Sequence, residues 1–157
     1  MVKIIGGLIL VVILFFVAGV TGLLFWLWPT FWPNEQISIN SSEVEQLRAL
    51  RAAPKFYADD AIFYPGAVNV ERRLLAERSV NRLIDSLVND PAKYSKKSDV
   101  LALFKLTLAQ FPTDDTEDME RLGGYLGQIL ETLQIQSSNE LLNVRRYGFP
   151  YGWWLRA

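Results

Sequence analysis

The 157-residue chain contains no cysteine and no histidine. Zinc fingers, His-based metal sites, haem held by His or Cys, thiol nucleophiles and every triad with a His base each need one of the two. Disulfides and lipid attachment through Cys are excluded as well. Charge of one sign is also lacking: 16 basic and 17 acidic residues leave a net −1. That balance gives no electrostatic case for nucleic acid, which wants a basic face. Catalysis would fall to carboxylate pairs or to Ser with Lys. Ser95 and Ser98 flank Lys96 and Lys97, but in no glycine-rich or strained setting. Asp59 and Asp60 are neighbours, and neighbours do not converge in a helix or strand. Nucleophile, base and oxyanion site do not assemble, so a non-enzymatic protein without cofactor or metal is expected.

What is present is unevenly spread. Between Ile4 and Asn34 no residue is charged, and Ile4 to Trp28 is almost wholly apolar. Twenty-five residues of helix at ~1.5 Å each would reach about 37 Å, enough for a ~30 Å hydrocarbon core. A cleaved signal peptide has a shorter apolar region, whereas here Leu23, Leu24, Phe25 and Leu27 continue past the small residues Ala18 to Gly22. The pattern predicts residues 1–28 as a transmembrane signal anchor, with the bilayer contacted through residues 4–28. Lys3 lies before the span and no Lys or Arg follows until Arg48. The positive-inside rule then places the N-terminus in the cytoplasm of a bacterium, the chain as single-pass in the inner membrane, and the remainder in the periplasm. Trp26, Trp28, Phe31 and Trp32 would form the aromatic belt. Ala18 and Gly22 are a small-xxx-small pair, a candidate helix contact within the membrane.

Residues 29–41 read as a juxtamembrane linker and 42–157 as a helical domain. Ser42 and Glu45 have capping-box spacing, and the helix they open carries Val44, Leu47 and Leu50 before Pro54. Tyr64-Pro65-Gly66 reads as a tight turn. A long helix is expected from Val70 to Asn89, with Val80, Leu83, Ile84, Leu87 and Val88 on one face. A third runs from Asp99 to Gln110 behind Ser98, its apolar residues spread over nearly half the circumference. A fourth follows the acids at 114–118, with Met119, Leu122, Leu126, Ile129, Leu130 and Leu133 at helical spacing. Gly123 and Gly127 beside that stripe suggest close approach of a helix or ring. Ser137 and Glu140 predict a second capping box and a short helix to Arg146. No strand is predicted. The fold class expected is all-α: one transmembrane helix, then a bundle of four main helices and a short fifth.

The run DTEDMERLGGYLGQILETLQIQSSNELLNVRRYGF, with FYPGA and LALFKLTLAQF upstream, resembles the bacterial domain-of-unknown-function family 4844 over Ser42 to Phe149. The resemblance implies a small helical domain and brings no catalytic residue with it.

Candidate sites lie outside any catalytic pattern. Asp114, Asp115, Glu117 and Asp118 are either plain helix capping or an acidic patch for a basic partner. Trp153 and Trp154, followed by Leu155 and Arg156, sit at a chain end that is normally frayed and polar. They fold back, meet the membrane interface or insert into a partner, and Trp and Arg are enriched at binding hot spots. Arg73 and Glu77, one turn apart, with Tyr64 from the turn, are candidates to line a groove. The expected function is a membrane-anchored protein-binding domain facing the periplasm, in one version an immunity-type protein that neutralises an envelope-targeted toxin. The alternatives are an accessory subunit of an inner-membrane complex and a small-ligand binder with a pocket under residues 54–68.

Overall fold

Val70–Asn89 is a helix with the bounds its apolar spacing predicts, and it organises the domain. The computed structural model describes residues 2–28, 35–112 and 115–148. Six α-helices follow in order: α1 Val2–Leu27, α2 Ser41–Ala52, α3 Val70–Asn89, α4 Lys97–Ala109, α5 Thr116–Thr132 and α6 Leu141–Tyr147. Among the described residues there is no strand, only two isolated antiparallel bridges, Gln36 with Lys96 and Asp59 with Tyr64. Helix α3 packs on α2, α4 and α5. The core between them holds Leu47, Val80, Ile84, Leu87, Val100, Leu101, Phe104, Leu122, Leu126 and Ile129, all fully enclosed. The expected bundle of four main helices and a short fifth is therefore present as α2 to α6.

The expected membrane anchor is corrected. Residues 2–27 are helical, yet among the described residues no helix is long and apolar enough to cross a membrane. Ala18 and Gly22 lie on this helix with exposed surfaces, and a Cβ on Gly22 would meet nothing within 4 Å. Their role as a membrane helix contact falls with the span. Trp28 does not sit at an interface belt. It is 6% exposed and belongs to the core. Its indole N–H donates to the Asn139 carbonyl at 2.9 Å, and the Lys105 ammonium donates to its carbonyl at 2.6 Å. Past it, the Ile37 N–H bonds the Ser95 carbonyl and the Lys97 N–H bonds the Glu35 carbonyl, both at 2.9 Å.

Helix ends differ from expectation by small shifts. The capping box of α2 is made by Asn40 and Glu43, not by Ser42 and Glu45. The Asn40 side-chain oxygen accepts from the Ser42 N–H at 3.0 Å, and Glu43 accepts from the Asn40 N–H at 3.2 Å. Both pairs have the required spacing, and the frame two residues earlier prevails. The expected box at Ser137 and Glu140 is absent: Glu140 takes φ 67°, outside cap geometry. Instead α5 ends in a Schellman-type turn. The Ile135 N–H reaches the Leu130 carbonyl at 2.8 Å and the Gln134 N–H reaches the Glu131 carbonyl at 2.9 Å, with Gln134 at φ 56°. Asp85 of α3 pairs with Arg51 of α2 through two bonds.

The glycines of α5 were expected beneath a neighbouring helix or ring. A Cβ at Gly123, Gly124 or Gly127 would meet nothing within 4 Å. No neighbour crowds them, and in a helix each costs stability. Gly127→Ala is expected to stabilise the protein by up to about 1 kcal/mol, read as a higher urea midpoint. A lower midpoint would show that some close contact needs the bare backbone.

Candidate functional site

Between α2 and α3 the chain makes a rigid turn. Phe56 sits at φ 59° with its ring 1% exposed. The ring lies 5.2 Å from that of Tyr125, edge on, and 5.8 Å from that of Phe111. Its N–H donates to the Tyr125 hydroxyl at 3.1 Å. Residues 59–64 then form a closed loop. The Asp59 N–H donates to the Tyr64 carbonyl at 2.8 Å and the Tyr64 N–H returns to the Asp59 carbonyl at 3.0 Å. A 3-10 turn, Asp60–Ile62, fills it, with the Asp59 carboxylate accepting from the Ala61 N–H. Gly66 closes the turn expected at Tyr64-Pro65-Gly66. It has φ 89°, and a Cβ there would come 2.9 Å from the Ala58 nitrogen.

This loop, the first half of α5 and α6 enclose a cleft of about 690 Å³. Ile62, Phe63, Leu108, Met119 and Leu142 supply apolar lining; Glu117, Glu120, Arg121, Arg145 and Arg146 supply charge. Gly123 and Gly124 leave the α5 wall bare. Phe63 stands at the rim, 94% exposed. It is held in the left-handed region at φ 55° and ψ 31°. A non-glycine residue there costs of order 1 kcal/mol, and nothing is recovered by burying the ring.

A polar network stiffens the loop from behind. The Tyr64 hydroxyl donates to the Asp118 carboxylate at 2.5 Å, with both residues buried. Burial first, and then this bond, hold the Tyr64 phenol well above the usual tyrosine range. The other Asp118 oxygen is buried and has no partner among the described residues. Arg121 donates to Asp59 at 3.0 Å and to the Tyr125 hydroxyl at 3.2 Å, and its guanidinium lies 5.0 Å from the Tyr125 ring.

The structure disperses the acids singled out in the sequence. Asp115 is the N-cap of α5, accepting from the N–H groups of Glu117 and Asp118. Glu117 lines the cleft and Asp118 is buried beneath it. Among the described residues no group of acids converges as metal ligands. Asp114, Trp153, Trp154 and Arg156 lie outside the described residues. Arg73 and Glu77 form an ion pair at 2.9 Å on α3, and Arg73 stacks 4.3 Å from the Tyr57 ring. Tyr64 belongs instead with Asp118 and Arg121, so these three do not form one groove. Lys55, fully buried, donates to the carbonyls of Arg51 and Ala53 at 2.9 and 2.8 Å and so caps the end of α2. Burial lowers its pKa. Phe56, Lys55, Arg121 and Arg145 escape a reading by pattern. The only sequence signal for the loop is its density of aromatics beside Pro65 and Gly66.

A model of the domain of unknown function DUF4844 matches residues 38–150. The chain belongs to that family. The resemblance read from DTED, IQSSNELLN and YGF thus holds, and the match covers α2 to α6 with the whole cleft. Among solved structures, the fold is similar to that of a DUF3571 family protein from Acinetobacter baumannii AYE, with 23% identity and a TM-score of 0.58. The alignment covers 68% of this chain and 89% of that one. At that identity the likeness shows the fold alone. No curated protein matches the chain.

Proposed function

We propose that this DUF4844 domain is a non-enzymatic protein-binding module and that the cleft between the 59–64 loop, α5 and α6 is its recognition surface. One observation carries the reading: Phe63, almost wholly exposed, is held at positive φ on a loop locked by Asp59, Tyr64 and Arg121. Backbone strain that presents an apolar ring to solvent has no use in the isolated fold. A preorganised aromatic beside arginines is what interface hot spots are made of. Glu117, from the acidic run, contributes to the same surface.

Phe63→Asn separates structure from function. Asn tolerates the left-handed region and buries no less than Phe does here. The variant is expected to match or exceed the parent in stability by a few tenths of a kcal/mol to about 1 kcal/mol. In affinity capture from the native host with the full chain as bait, a partner recovered near one to one with the parent should fall at least about tenfold with Phe63→Asn. Equal recovery would overturn the cleft as the recognition surface.

The narrower version is an immunity-type protein, supported by small size and the lack of an assembled catalytic set. If the captured partner is a toxic enzyme, deletion of this chain should sensitise the host to it; unchanged survival would sink that version. The accessory-subunit alternative was built on Ala18 and Gly22 crossing a membrane and loses its basis with the span, as does the periplasmic placement.

A further inference from the structure

The charges of the cleft are not all satisfied within it. Arg121 is paired with Asp59 at 3.0 Å and Arg146 with Glu120 at 3.0 Å. Arg145 has no acidic partner among the described residues; its guanidinium reaches only the Met119 sulfur, at 3.9 Å. A thioether is a weak acceptor, so the fork, exposed on α6, is left available to a ligand. Glu117 is the lining acid without an ion pair among the described residues, and it stands in the first turn of α5, where the helix dipole already offsets its charge. The surface beside Arg145 is apolar: Met119 and Leu142 line it, Gly123 and Gly124 leave room, and Phe63 overhangs the opening.

Resting on the protein-binding reading above, we infer that the cleft takes a partner segment in which an Asp or Glu lies beside an aliphatic or aromatic residue. The carboxylate fills the Arg145 fork, where planar two-point pairing is favoured. The apolar neighbour enters the space over Gly123 and Gly124 and packs on Phe63. Charge complementarity selects this occupant over a basic segment, which would meet the unpaired Arg145 and find Glu120 already engaged by Arg146.

A library of random twelve-residue peptides displayed on phage is the probe. It is panned in parallel on the immobilised full chain, on Arg145→Gln and on Phe63→Asn. The parent is expected to enrich peptides with an acid within two positions of Leu, Ile, Phe or Trp. A synthetic peptide from that pool should bind the parent at least about tenfold more tightly than it binds Arg145→Gln. Its version with the acid changed to the amide should lose the same factor on the parent and little more on Arg145→Gln, the signature of a direct pair. An amide peptide that binds the parent as tightly overturns the inference. If such peptides still lose affinity on Phe63→Asn, the cleft remains a protein-binding surface and only its charge preference falls. Enrichment indifferent to Phe63→Asn, or none above a blank support, overturns both. Displacement of the peptide by decanoate at comparable concentration would assign the cleft to a small amphiphile and overturn the segment.

Discussion

Phe56→Ala is expected to destabilise the protein by about 3–5 kcal/mol, the cost of deleting a fully enclosed aromatic ring. The ring is 1% exposed and lies against Phe111 and Tyr125, so the void cannot be filled from solvent. Alanine keeps the positive φ and its strain, so no relief of the backbone offsets the loss. The effect reaches beyond stability. Phe56 is the point at which the turn after α2 is fixed to α5, and the 59–64 loop hangs from it. Peptide or partner binding should therefore be lost in Phe56→Ala at urea concentrations where the helices persist. Urea unfolding followed by far-ultraviolet circular dichroism measures the first effect. A loss below about 1 kcal/mol would mean that the loop collapses onto the gap and that Phe56 does not position the cleft.

Tyr64→Phe is expected to cost about 2 kcal/mol at neutral pH, since it takes from the buried Asp118 carboxylate the hydroxyl that donates to it. The same substitution should change the alkaline limb of the stability curve. The folded-state pKa of Tyr64 is raised above the ordinary value near 10. The unfolded chain therefore gives up this proton first as pH rises. The contribution is fully present below pH 10 and is lost above it, at roughly 1.4 kcal/mol per pH unit until the native phenol itself titrates. The buried Lys55 and the partly buried Lys105 have lowered pKa values and act in the opposite sense. They are common to both proteins, so the difference between the parent and Tyr64→Phe isolates the phenol. Parallel alkaline limbs would show that Asp118 and Tyr64 do not form this bond in solution.

The helical frame was legible because its signal is local and repeated. Val80, Leu83, Ile84 and Leu87 recur at the helical period, and Asn89 followed by Asp90-Pro91 ends the pattern where α3 ends. Caps were legible only to within a frame, because Asn40–Glu43 and Ser42–Glu45 offer overlapping choices and the rest of the fold decides between them. Trp28 was misplaced because an apolar run does not say whether a ring faces lipid or protein; the Asn139 carbonyl that receives its N–H lies 111 positions away. The cleft was hardly legible at all. Positive φ at Phe56 and Phe63 is imposed by the Tyr125 hydroxyl and by the Asp59–Tyr64 pairing, and no neighbour in sequence announces either. Gly123 and Gly127 were read as marks of close approach, whereas Gly123 and Gly124 line the cleft and leave its wall empty, which no periodicity records.

The hold on Trp28 ties the end of α1 to the cleft. Its indole is clasped by the Asn139 carbonyl, with the Lys105 ammonium behind it. The Asn139–Glu140 turn leads directly into α6, which carries Leu142, Arg145 and Arg146 into the cleft. One short turn thus anchors both the residue that follows α1 and the arginine wall of the cleft.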